Sequence, residues 1–570
     1  MAKIDLVIRG GTVADGSGGA LREADVAVQD GKIVAVGQVA DIGREEIDAK
    51  GLLVTPGFID VHTHYDGHLT WGESLDPSSC NGVTTVVVGN CGVGFAPCRP
   101  QDREGLVRLM EGVEDIPEVV MTKGLPWDWE DFPSFLDSVE RKPHDIDFAV
   151  LLPHAPLRVF AMGQRAVNLE PANAADRARM RELVKEAMTA GAIGLATSRS
   201  ITHRGSDGVY SPALGAEEEE LYEISMGIVD AGRGILQAIP NGSQQKREDY
   251  EVMHRLVRRT GLPISYSLTQ LHSQPELWRE AIEMIERENA AGADITAQVI
   301  NRSTGVILGL EASFHPFVAH PYYVENLAKL PLAQRVAEMR KPEVRAILIQ
   351  PQGVSDHPFA GTFRHFSEMY LMGKVAEYEP NPANSVVALA AQRGVSPDEV
   401  AYDMLLEDNG HAMLLITASN FIGGNLDEAL TLMRHKDTVL GLGDGGAHCG
   451  LVCDASYTTF NLTHWARDRR GDKLSVPEAV QMLTDAPAKV QRFRDRGRIA
   501  PGMKADINVI DMDRLTLLRP SVAYDLPTGG KRLTQKSTGY VATLVSGVAI
   551  QREGQDTGAR PGALVRNAGF

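Results

Sequence analysis

Four times in the middle of the chain, a segment with helical spacing of its apolar residues stops at a turn and hands on to a short apolar run. Residues 174–190 carry Met180, Leu183, Val184, Ala187 and Met188 at that spacing, end at Gly191, and lead into Ile193-Gly194-Leu195-Ala196. The pattern returns with 218–231 before 234–239, 250–260 before 263–268, and 276–290 before 293–299. Regular alternation of helix and buried strand requires a parallel sheet with helices packed on it, and this many units favours an α/β fold closed into a (β/α)8 TIM-type barrel. Nine candidate strands compete for eight places, and the runs 293–300 and 412–418 are the pair in contention.

The ends of the chain have a different texture. Residues 4–9 alternate up to Gly10-Gly11, while 24–29 end at Asp30-Gly31 and 32–36 follow at once, which reads as strand, hairpin turn, strand. Runs 505–510 and 539–547 repeat that texture near the C-terminus. The expectation is a small β-sandwich domain built by both termini, residues 1–55 and 495–570, beside a barrel over 56–494. A Pro-rich, polar stretch at about 302–410 reads as an insertion, or lid, over the barrel mouth.

Within that frame, Phe58-Ile59-Asp60-Val61-His62-Thr63-His64 is an apolar run ending in two histidines one residue apart. Strand side chains alternate faces, so His62 and His64 point the same way and can grip one cation. The run 83–88 leads to Cys91, and 439–443 leads to Asp444. In a parallel barrel the C-terminal strand ends share one face and the last strand neighbours the first, so residues far apart in sequence meet there. His154, after the run 148–152, would reach the same rim.

Two imidazoles, a thiolate and a carboxylate suit zinc better than magnesium or calcium. Such a metal lowers the pKa of a water to near neutral and polarises a carbonyl. Asp444 is placed to take the proton of that water and pass it to a leaving group, with a ligand role also open.

A net charge of −18 argues against nucleic acid or an anionic membrane as the partner, since both are polyanions. That leaves a small-molecule substrate, with a homo-oligomer open. Only five cysteines (Cys80, Cys91, Cys98, Cys449 and Cys453), no apolar leader after Met1 and no membrane-length apolar window point to the cytoplasm.

These residues carry a resemblance. The stretch Pro56 to His64, Gly443-Asp444-Gly445 and the closing Gly497-Arg498-Ile499-Ala500-Pro501-Gly502 resemble the amidohydrolase superfamily. Gly82-Val83-Thr84-Thr85 through Asn90-Cys91-Gly92, His154 to Gly163, and Ala190 to Leu195 are similar to its N-acyl-D-amino-acid deacylase (D-aminoacylase) branch. The resemblance implies a metal-dependent hydrolase of amide C–N bonds, with His62, His64, Cys91 and Asp444 inheriting the metal and general-base roles. The residues themselves suggest one zinc per chain, with a second metal open.

The departures are specific. Family members place a histidine at the end of the fifth strand and another at the end of the sixth, where this chain reads Gln237-Ala238-Ile239-Pro240-Asn241 and Ser265-Tyr266-Ser267-Leu268-Thr269-Gln270. His203 and His272 are the candidates to replace them. The branch's carboxylate-holding His-Pro-Arg element is absent after Asp444, leaving Arg158, Arg199 and Arg204 as candidate substitutes. Two alternatives therefore stay open: a hydrolase of a cyclic amide, ester or lactone, and a small-molecule binding protein that has lost catalysis.

Overall fold

The structure is a computed structural model that describes residues 4–241, 247–350 and 363–566. Eight parallel strands follow one another in chain order around a nearly closed barrel: Phe58–Asp60, Val83–Val88, Asp147–Pro153, Gly194–Ser198, Ile235–Ile239, Ile264–Ser267, Ile295–Val299 and Thr438–Leu440. Val83–Val88 and Asp147–Pro153 are buried at every position, as strands covered on both faces must be. The seam between last and first strand is held by two backbone hydrogen bonds, Asp444 N–H to His62 O at 3.0 Å and His64 N–H to Gly445 O at 2.7 Å. Gly441 makes the close approach possible, because a Cβ there would stand 2.5 Å from Val61 Cγ2.

The ninth strand is resolved. Run 293–300 is the seventh barrel strand, pairing in parallel with Ile264–Ser267 and Thr438–Leu440. Run 412–418 is no barrel strand: Leu414–Thr417 pairs antiparallel with Gly305–Leu308 and Met369–Leu371 in a separate three-stranded sheet. That sheet and the helices around it bury their own apolar cluster, including Leu310, Phe317, Tyr323, Met339, Tyr402 and Leu414. The aromatic residues of this segment serve that core, with Phe314 stacked on Phe363 at 4.4 Å.

Both termini meet in one mixed sheet of nine strands, in which Leu53–Pro56 bridges the N-terminal strands to Ile507–Ile510 and Tyr540–Val545. Asp30-Gly31 turns its hairpin with φ of 50° and 72°, the left-handed pair that a two-residue type I′ turn requires. The C-terminal segment also leaves the sheet. Hairpin Ser521–Leu526 and Gly530–Thr534 reaches the barrel mouth, where Leu533 N–H bonds Cys449 O and Arg532 bonds Asp76 O.

Candidate metal centre

Each metal-ligand candidate is set by the strand end that precedes it. His62 and His64 follow the first strand and are both 1% exposed. Cys91 follows the second, on a tight turn in which Gly89 has φ 83° and Cys91 itself φ 57°, with the thiol 3.3 Å from His62 Nε2. One donor atom from each of His62, His64 and Cys91 lies within 4.8 Å of the others, the sole such cluster among the described residues. Asp444 arrives from the eighth strand at φ 47°, its Oδ1 3.5 Å from His62 Nε2 and 3.7 Å from His64 Nε2.

The electrostatics favour binding a cation. Burial holds His62 down to about 4, against a hydrogen bond to Gln298 that raises it, and burial holds His64 well below the ordinary histidine range. Both rings are therefore neutral, the state that ligates. Burial pushes the Cys91 thiol and the Asp444 carboxyl up, so a cation in their midst would relieve both.

Polar support comes from the floor of the barrel. His62 Nδ1 meets Gln298 Oε1 at 2.8 Å, and Gln298 Nε2 donates to Ser265 Oγ at 3.0 Å. With Nδ1–H donating to the amide, His62 Nε2 is left as the acceptor facing Cys91 Sγ, 3.3 Å away. Cys91 N–H donates to Gln237 Oε1 at 3.2 Å. On the fifth and sixth strands, then, Gln237 and Ser265 stand as hydrogen-bonding groups around the cluster. The signal in the sequence is a glutamine inside each of two otherwise mainly apolar strands, Gln237 in Ile235–Ile239 and Gln298 in Ile295–Val299.

Other candidates are placed elsewhere. His154 is fully buried with both ring nitrogens engaged, Nδ1 by Thr197 Oγ1 at 2.8 Å and Nε2 by Glu220 Oε1 at 3.0 Å. Arg158 donates to the same Glu220 oxygen at 2.8 Å, so both belong to a buried ion network outside the donor cluster. Arg199 pairs with Asp249 at 2.9 Å. Arg204 lies over the Tyr210 ring and bonds its hydroxyl. His272 turns to the insertion, 3.3 Å from Thr417 O and 3.9 Å from Glu368. His203 does face the cluster, since His62 and His448 both help hold its pKa down after burial, to about 4, and its Nδ1 has no partner among the described residues.

One residue was missed altogether. Glu114 closes helix Arg103–Glu114, is 1% exposed, and sets Oε1 3.4 Å from His64 Nδ1 and Oε2 3.8 Å from His448 Nε2. Its signal was an acid on the same helical face as Val107 and Met110, where spacing predicts an apolar residue.

With this geometry in place, the comparisons decide the family: the amidohydrolase family model matches residues 45–551. The chain belongs to the amidohydrolase family. An N-acyl-D-glutamate deacylase of Alcaligenes xylosoxydans xylosoxydans is 25% identical over 570 residues, covering 99% of this chain and 97% of that one. A D-aminoacylase of the same organism is 32% identical over 287 residues, 50% of this chain and 54% of the relative, so that match spans about half the relative's length. Among solved structures, N-acyl-D-glutamate deacylase from Bordetella bronchiseptica, complexed with zinc and a phosphonate inhibitor, aligns at TM-score 0.66 and 23% identity over 99% of this chain and 100% of that one. A D-aminoacylase structure aligns at TM-score 0.66 and 22% identity, with the same coverage. These likenesses show that the fold is shared. Among the described residues no helix is long and apolar enough to cross a membrane.

Proposed function

We propose that this amidohydrolase cleaves the amide bond of a small N-acylated amino acid, an N-acyl-D-amino acid being the first candidate, with one zinc ion per chain held by His62, His64 and Cys91. The observation that carries the reading is the buried convergence of two neutral imidazoles and a thiol within 4.8 Å, with Asp444 Oδ1 against both rings. The donor set fits zinc: borderline-soft, neutral or readily ionised, and built on strand ends that hold it in place. When bound, the metal supplies Lewis-acid polarisation of the substrate carbonyl and an acidified water.

The chain's own residues supply the remainder. Asp444 accepts the proton of the attacking water and returns it to the departing nitrogen, as general base and then general acid. Its carboxylate is aimed by the hydrogen bond from its own N–H to His62 O, 3.0 Å, so the base and the ligand strand move as one. Beside Asp444 runs a narrow groove of about 20 Å³, room for little more than a water, lined by Trp71, Ile116, Asp454, Leu526, Arg532 and Leu533. Arg532 in that groove is already committed, with Asp525 at 2.8 Å from both Nε and Nη2. The relatives named N-acyl-D-glutamate deacylase and D-aminoacylase support the amide and the D-configuration. The five cysteines, free of disulfides among the described residues, support a reducing compartment such as the cytoplasm.

The test is a panel of N-acetyl-D- and N-acetyl-L-amino acids, hydantoins and lactones offered to zinc-loaded protein. Release of free D-amino acid is the expected result; turnover confined to cyclic amides or lactones would move the reading to those substrates.

A further inference from the structure

Glu114 is expensive where it stands. A carboxylate at a helix C-terminus opposes the helix dipole, and one that is 1% exposed is deprived of water as well. Among the described residues its ion-pair partners are two histidines and no lysine or arginine. Asp444 and Asp66 lie close enough to add like-charge repulsion to the cost of burial. Nothing in the helix needs an acid here, since Leu106, Val107, Leu109 and Met110 already pack it into the core.

What the side chain faces is specific. His64 Nδ1 and Glu114 Oε1 stand 3.4 Å apart, close but not aligned as a hydrogen bond, and neither atom has a hydrogen-bond partner among the described residues. The opposite ring nitrogen, Nε2, is the one 3.7 Å from Asp444 Oδ1. The helix end is also tied to the loop that carries Asp444: His448 N–H bonds Glu114 O, and Gly450 N–H donates to Asp115 Oδ2 at 2.9 Å.

We propose that Glu114 is a positioning residue of the metal centre: Oε1 accepts the Nδ1–H of His64 and so presents Nε2 to the cation, while Oε2 steadies His448 beside Asp444. The inference rests on the reading of His62, His64 and Cys91 as ligands. A carboxylate behind a ligating histidine fixes its tautomer and raises its basicity. His62 has an amide behind it, Gln298, and His64 has the carboxyl group of Glu114 in the corresponding place.

The experiment uses chelator-stripped protein. Zinc affinity is measured by competition with a chromophoric chelator, and Co2+ loading by the near-ultraviolet thiolate-to-metal band that Cys91 would give. Glu114→Ala should bind zinc about 10- to 100-fold more weakly, with one metal per chain and the thiolate band retained at saturation. Glu114→Gln, which keeps the shape and a neutral acceptor, should lie between, roughly 3- to 10-fold weaker. It decides the matter if the alanine variant does not fold. Unchanged affinity in the glutamine variant overturns the proposal and leaves Glu114 a structural acid. A fall from two metals to one in either variant also overturns it, by making Glu114 a direct ligand. Failure of the parent protein to bind any metal is a separate outcome, which removes the metal reading and this inference with it.

Discussion

Asp444 Oδ1 sits between the Nε2 atoms of His62 and His64, 3.5 Å from one and 3.7 Å from the other, although the first and last barrel strands supply them. The backbone hydrogen bond from Asp444 to His62 O makes that triangle a property of barrel closure. Asp444→Asn keeps the size and an oxygen donor but cannot carry a proton. Turnover should fall by roughly 10²- to 10⁴-fold with zinc content unchanged. Steady-state kinetics beside metal analysis check this, and undiminished turnover would remove Asp444 from the chemistry.

Gln298 holds the far nitrogen of His62 at 2.8 Å and is itself held by Ser265. Gln298→Leu preserves the volume and deletes the acceptor, leaving a buried N–H unpaired and the ring free to turn. Zinc should bind about tenfold more weakly, a loss read by chelator competition. Equal affinity in the two proteins would show that strand packing alone orients His62.

The buried trio His154, Glu220 and Arg158 predicts a stability defect with no metal defect. Glu220→Gln leaves the Arg158 guanidinium, fully buried, without its countercharge. Removing one partner of a buried pair costs about 3–5 kcal/mol. The variant should melt lower yet hold the same zinc per folded chain. Lost metal at an unchanged melting temperature would return His154 to the ligand set.

Glu379 sets an acid limit on the fold. Burial pushes its carboxyl up, but hydrogen bonds from His464, Arg469 and the Leu426 amide prevail and bring it to about 2 from the ordinary 4.5. A folded value below the unfolded one stabilises the protein fully above about pH 4.5 and loses that contribution as pH falls towards 2, roughly 3 kcal/mol in all. Glu379→Gln should therefore be less stable than the parent at pH 6 and converge on it as the pH drops towards 2. Melting temperatures across that range test it; parallel curves would assign the acid sensitivity elsewhere.

The barrel could be read from the sequence because helix and strand alternate with different periods, and because strands buried on both faces are unbroken apolar runs. The same signal misled at 412–418: an apolar run inside a small antiparallel sheet looks like one inside a barrel, and only its partners, Gly305–Leu308 and Met369–Leu371, tell them apart. That His62, His64, Cys91 and Asp444 come together could be read because each follows an apolar strand. His154 ends one too, and differs only in that Thr197 and Glu220 have claimed its nitrogens. Glu114 sits on a helix whose packing against His64 depends on tertiary contacts alone, so a single acid on an apolar face was its whole trace.

Everything proposed for this site depends on a metal held by the first two strand ends. Zinc per chain, measured by inductively coupled plasma mass spectrometry on stripped and reconstituted protein alongside Cys91→Ala, tests it most directly. About one zinc per parent chain and a clear loss in the variant are expected. No zinc on the parent protein after reconstitution, or an undiminished content in Cys91→Ala, would contradict it.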